Sequence, residues 1–289
     1  MHGYTGAACA VTEPGSSVVT IYVTGRDADN RSLIGRGRCD LAEPAPRLVA
    51  ESEPCLTVGD LGAFDENGVS YPCVVPDAAG TRLYYTGWMP TVLTPFQNHI
   101  GLARLQADGC FERVSRAPVL PRTDADHLSM GSCYVMAEDR SEGRLWHMWY
   151  TSFLGWGRQP DEPKHRYVIK YASSTNGIVW HRDDLICISA VHAGEHSISR
   201  PSVIRGDDGW HMWFCHRGDR YRLGYAVSSD GRTWDRVDDH LTIGPLSDWD
   251  GDEQGYPHVF EHGGRLWMLY CGNGYGRDGL GLARFEPDG

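Results

Sequence analysis

The sequence has no run of Lys and Arg, no Cys-x-x-Cys pair and no stretch of about 18 apolar residues. The missing basic patch matters because 38 Asp and Glu stand against 27 Lys and Arg, a net charge of -11. Nucleic acid and anionic membrane surfaces are therefore poor partners. The nine cysteines are odd in number and scattered, unlike a disulfide framework or a zinc site, and read as reduced, mostly buried thiols. The segment from Met1 to Gly6 has no basic region leading into an apolar core, so a cytoplasmic location is expected. No cofactor signature stands out: Gly272-Asn273-Gly274-Tyr275-Gly276 follows a strand pattern but leads to another strand, unlike a dinucleotide cradle.

What is present is turn formers and aromatics: 35 Gly, 16 Pro, 10 Trp and 14 Tyr in 289 residues. Tight turns between short aromatic segments predict an all-β chain. A repeat organises them. Ala7-Ala8-Cys9-Ala10-Val11, Tyr71-Pro72-Cys73-Val74-Val75, Gly131-Ser132-Cys133-Tyr134-Val135, Arg200-Pro201-Ser202-Val203-Ile204 and Tyr256-Pro257-His258-Val259-Phe260 recur at intervals of 64, 60, 69 and 56 residues, aligned on 9, 73, 133, 202 and 258. Each is followed by an aromatic alternating strand. A third strand then ends in Asp108-Gly109, Asn176-Gly177, Asp230-Gly231 or Asp288-Gly289, favoured hairpin turns, and Trp180 and Trp234 open a short fourth strand. The pattern predicts one domain over 1–289, a five-bladed β-propeller of four-stranded antiparallel blades whose first strands line the axis.

These repeats resemble the five-bladed propeller group of arabinanases, β-xylosidases and invertases, most closely at Arg200-Pro201-Ser202-Val203-Ile204 with Trp210-His211-Met212-Trp213-Phe214, and at Tyr256-Pro257-His258-Val259 with Trp267-Met268-Leu269-Tyr270. The resemblance implies a sugar-active enzyme with a base, a pKa modulator and an acid near the starts of inner strands. Those acids are not matched: Ala7-Ala8, Gly131-Ser132 and Ser199-Arg200-Pro201 occupy the corresponding places.

The expected function is thus a carbohydrate-active enzyme of this hydrolase-like group, acting on a sugar, sugar nucleotide or glycosylated small molecule in the axial funnel. The alternatives are a lyase, isomerase or cyclase using His196, His216 and Tyr256 for acid-base work, or a non-catalytic sugar-binding propeller. Asp65, just before an inner strand, is the candidate base, or else an Asx turn set by Asn67-Gly68. Glu195 and Glu253 are candidate acids, since glycosidic carboxylates come in pairs, and His196 is a further catalytic candidate. Trp88, His127, His216, Arg217, Asn273 and Tyr275 fall on loops of one face and would bind the sugar, with Tyr71 and Tyr256 at inner-strand starts. Arg200 occupies an inner-strand position that is neutral elsewhere, so it should pair with Glu195 or Asp252, or else face an anionic or hydroxyl-rich ligand. No His spacing supports a metal. Cys9, Cys73 and Cys133 are expected at equivalent packing positions.

Overall fold

The computed structural model describes residues 5–77, 79–157 and 165–286. Almost all regular structure in them is strand. The chain runs β1 (Thr5–Val11), β2 (Val18–Arg26), β3 (Ser32–Asp40), β4 (Val49–Ala50), β5 (Gly68–Val75), β6 (Arg82–Met89), β7 (Gln97–Leu105), β8 (Phe111–Arg113), β9 (Met130–Arg140) and β10 (Gly143–Trp156). It continues through β11 (His165–Ser174), β12 (His181–Ile188), β13 (Ser197–Gly206), β14 (Gly209–Arg217), β15 (Tyr221–Ser228), β16 (Asp235–Arg236), β17 (Gly255–His262), β18 (Arg265–Cys271) and β19 (Leu280–Arg284). Consecutive strands pair antiparallel in groups β1–β4, β5–β8, β9–β12, β13–β16 and β17–β19. Single parallel bridges, Ser32 with Gly68 and Tyr167 with Ser197, join the first group to the second and the third to the fourth. The first strands pack in succession, β1 on β5, β5 on β9, β9 on β13, β13 on β17, and β17 back on β1. The architecture is propeller-like. Among the described residues no helix is long and apolar enough to cross a membrane.

Neighbouring first strands are stitched by side chains. Val74 N–H donates to Cys9 Sγ (3.3 Å), Val135 N–H to Cys73 Sγ (3.2 Å) and Val259 N–H to Ser202 Oγ (2.8 Å). These bonds satisfy inner backbone groups that a pure ladder would leave orphaned. Pairing with the second strand fixes the register: Cys9 faces Tyr22, Cys73 faces Tyr84, Tyr134 faces Trp149, Ser202 faces Trp213 and His258 faces Leu269. The expected equivalence of Cys133 with Cys9 and Cys73 is therefore displaced by one residue, Tyr134 taking that place. The bulge in β9 lies one place along, Gly131-Ser132 opposing Thr151, a shift that a repeat aligned on small residues does not show.

Second-strand aromatics fill the spaces between groups. Tyr84, Tyr85, Trp149, Tyr150 and Phe214 are fully buried, each contributing on the order of 2 to 3 kcal/mol by removal from water. Third-strand glycines make room: Gly101, Gly224 and Gly281 pair with Tyr85, Phe214 and Tyr270, and a Cβ on Gly101 would lie 2.3 Å from Tyr85 Cζ.

Candidate functional site

The first strands carry a recurrent bulge. Tyr71-Pro72 opposes Tyr85, Arg200-Pro201 opposes Phe214 and Tyr256-Pro257 opposes Tyr270, two residues against one. Tyr71, Arg200 and Tyr256 have φ of 52°, 54° and 55°. A left-handed non-glycine residue before proline is doubly disfavoured, on the order of 1 to 3 kcal/mol each, so the surrounding sheet must enforce it. The bulge brings Tyr71 and Tyr256 together, their rings edge to face at 5.5 Å.

Two adjoining cavities of about 190 and 280 Å³ open there and share Arg26, Tyr71, Phe96, Asn98, Tyr256 and Tyr275. The smaller adds Thr24, Ser32, Ser70 and Trp88; the larger adds Ser132, Thr151, Phe153, His165, Tyr167, Ser199, Arg217 and Tyr221. One wall of the larger is aromatic: Phe153 lies 4.9 Å from Tyr167, and His165 stacks on Tyr167 at 4.8 Å. The same lining holds phenols around a guanidinium, with Arg217 5.4 Å from the Tyr221 centroid and 5.5 Å from that of Tyr275. Tyr167 and Tyr221 share a hydrogen bond between their hydroxyls. Burial pushes the Tyr167 phenol up to about 12 and also raises those of Tyr71, Tyr221 and Tyr256 above the ordinary range, so these groups are neutral near pH 7. No Asp or Glu lines either cavity among the described residues.

Of the predicted binding residues, Tyr71, Trp88, Arg217, Tyr256 and Tyr275 line this space. Tyr275 is held there by a left-handed turn, Gly274-Tyr275-Gly276 with φ of 65°, 62° and 91°. Asn273 instead braces that turn: its Nδ2 donates to Asp248 O (2.8 Å), and its Oδ1 accepts from Asp252 and Glu253 N–H. His127 is exposed and lines neither cavity.

The candidate acids sit in loop staples. Asp65, buried, accepts from Tyr85 Oη (2.9 Å) and Arg113 Nε (2.8 Å). Asp126 does the same with Tyr150 Oη (2.8 Å), Ser152 Oγ (2.6 Å) and Arg182 Nη1 (3.0 Å), and Asp250 with Tyr270 Oη (2.8 Å). Glu195 is clasped by Arg236 (2.9 and 3.1 Å) and by His216 Nδ1 (2.7 Å). Burial opposes its charge, but those bonds outweigh it and hold the carboxyl well below the usual range. Glu253 accepts from Gly274 N–H (3.0 Å) and Tyr221 N–H (3.5 Å), behind the cavity wall. His196 has both nitrogens engaged, Nδ1 with Ser197 Oγ (2.7 Å) and Nε2 with Gly218 O (2.9 Å).

Arg200 meets neither expected acid. Glu195 is taken by Arg236 and Asp252 by Arg220, while Arg200 Nη2 donates to Ala8 O (2.7 Å) and Pro72 O (3.0 Å) across two neighbouring groups. The side chain is buried and lies outside the lining of both cavities, with its guanidinium carbon 5.9 Å from the Tyr71 centroid. Sequence reasoning missed Phe96, His165, Tyr167 and Tyr221. Tyr167 is the third residue of β11 and Tyr221 the first of β15, and the third-strand patterns Tyr167-Val168-Ile169 and Tyr221-Arg222-Leu223 are the signal in the sequence that points to them.

No family model matches the sequence. Solved structures share its architecture: one described as a glycoside hydrolase is 17% identical with a TM-score of 0.72, covering 100% of this chain and 90% of that one. A thermostable family-43 glycoside hydrolase is 14% identical with a TM-score of 0.64, covering 98% and 90%. A structure from the GH130 family of mannoside phosphorylases and glycoside hydrolases is 14% identical with a TM-score of 0.69, covering 99% and 85%. Sequence relatives are nearer: the uncharacterized proteins MT1551 and Rv1502 of Mycobacterium tuberculosis strains CDC 1551 and H37Rv are each 41% identical over 271 residues, 93% of this chain and 88% of theirs. The chain belongs to the family of MT1551 and Rv1502, and its fold is that of the glycoside hydrolase-like propellers.

Proposed function

We propose that this chain is a carbohydrate-active protein, a single five-bladed propeller that takes a sugar or glycosylated small molecule into the axial cavity. The return of β17 onto β1 supports the five-blade reading. The observation that carries the function is the mixed lining of the larger chamber: aromatic rings, those of Phe153 and His165, and polar groups, the hydroxyls of Tyr167, Tyr221 and Tyr256 and the Arg217 guanidinium, border one space. A pyranose needs both, an apolar face to stack on and donors for its hydroxyls. Nine unpaired thiols favour a reducing compartment such as the cytoplasm.

Asp65 and Glu195 support the loops in this reading, since each is consumed by an arginine. The neutral phenols favour donor roles over a tyrosine base. Calorimetric titration against a panel of neutral and acidic monosaccharides tests the proposal, with Phe153→Ala as control. Saturable binding lost in Phe153→Ala supports it; a panel with no binder sinks it. Chromogenic glycosides test the staple assignment: turnover abolished in a folded Asp65→Asn protein would restore that carboxylate as a base.

A further inference from the structure

We infer that the sugar bound in the axial cavity is acidic, carrying a phosphate, sulfate or carboxylate whose oxygens sit on Arg217. This deepens the proposed function and rests on it. Arg217 ends β14, and its backbone is fixed in the ladder opposite Ser197 on one side and Tyr221 on the other. The side chain is thereby delivered to the larger chamber. There the guanidinium lies against the rings of Tyr221 and Tyr275, contacts that attract a cation but accept no in-plane hydrogen bond. No carboxylate pairs with Arg217 among the described residues, and its buried Nε has no hydrogen-bond partner. A guanidinium has five donors in a fixed fork and stays charged, and here the chamber lining supplies no carboxylate to meet them.

The contrast with other arginines sharpens this. Arg113, Arg182 and Arg236 are each consumed by a buried carboxylate. In a chain of net charge -11, a guanidinium that faces a cavity without an acid is a local exception to the field that repels anions. The fork suits two oxygens of one oxyanion. Phosphate, sulfate and carboxylate share that chemistry. The Phe153 ring borders the same chamber and offers a surface for the sugar's apolar face.

The test uses the full chain in calorimetric titrations with glucose, glucose 6-phosphate, glucose 6-sulfate, glucuronate and inorganic phosphate, at two salt concentrations. The expected result is binding of at least one acidic sugar about tenfold or more tighter than glucose, an advantage lost in Arg217→Met, reduced in Arg217→Lys and weakened by salt. The acidic sugar with the greatest advantage identifies the anion. Equal affinity for glucose and the acidic sugars, without salt dependence in the unaltered protein, overturns this inference and leaves the proposed function standing. Inorganic phosphate binding at Arg217 with no sugar bound keeps the anion site and overturns the carbohydrate reading. Absence of all binding overturns both. The salt dependence needs no variant, so the test holds even if Arg217→Met does not fold.

Discussion

The rings of Tyr71 and Tyr256 meet edge to face at 5.5 Å, and both residues hold a left-handed backbone immediately before a proline. The contact joins the second and fifth strand groups across the axis, so the strain of each bulge is held by the aromatic packing it creates. Tyr256→Ala should lose that packing and cost about 3 kcal/mol or more, whereas Tyr256→Phe should keep the fold within about 1 kcal/mol. Denaturant melts of the two variants check this; equal losses would show that the hydroxyl, not the ring, holds the site.

The carboxylate staples predict a ranking. Asp126 faces Arg182 and Lys170; Lys170 keeps Asp184, but Asp126→Asn leaves the Arg182 guanidinium, 8% exposed, without its carboxylate and should destabilise by about 3 kcal/mol. Asp65→Asn leaves only Arg113, whose side chain is 26% exposed and can reach water, and should cost less. Urea midpoints of the two proteins give the order.

Acid should act in two stages. Burial holds His99 and His147 near pKa 4 and His258 near 3, each below the unfolded value of about 6.5. Neutral in the fold and protonated when unfolded, these residues contribute stability that is complete above about pH 6.5 and lost progressively as pH falls toward 4. Asp126 and Glu195, lowered despite burial by the bonds they accept, add a second loss that begins only below about pH 4. Melting temperatures between pH 8 and 3 should show both limbs, the first flattened in His147→Gln.

Gly101→Ala would press a methyl into the Tyr85 ring and should destabilise by about 1 to 3 kcal/mol. Gly15, with open space around it, should resist alanine only through its φ of 78°. Comparing the two melts separates crowding from backbone conformation.

Thiol accessibility is simple to read. Eight cysteines are buried and Cys110, in the turn after Asp108-Gly109, is exposed. A thiol reagent should titrate one group in the native protein and nine after denaturation, and Cys110→Ser should abolish the native signal.

The strand plan was legible in the sequence because its signals are local. Asn176-Gly177 and Asp230-Gly231 mark turns, Gly177 and Gly231 adopting φ of 69° and 71°, and the strands alternate in register with them. First strands begin one to three residues before the expected positions, since Thr5, Ser197 and Gly255 carry no pattern of their own. The role of Asp65 was not legible. Its partner Arg113 lies 48 residues further on, and nothing in Phe64-Asp65-Glu66 announces a guanidinium folding back from β8. Arg200 stands out in the sequence as a charge among neutral equivalents, but its partners are backbone carbonyls, which no sequence displays.

The seam between the first and last strand groups has a kinetic consequence. Among the described residues no ladder bond crosses it; the hydrogen bonds that do are His258 Nε2 to Ala10 O at 3.3 Å and Cys271 Sγ to Thr5 O at 3.8 Å, spanning 248 and 266 residues of chain, and Ala8, Ala10 and Ile21 share a core with Phe260 and Leu269. Every other junction joins segments far nearer in sequence. The entropy of closing the longest loop thus falls on this one joint, so docking of the last strand group on the first is expected late in folding.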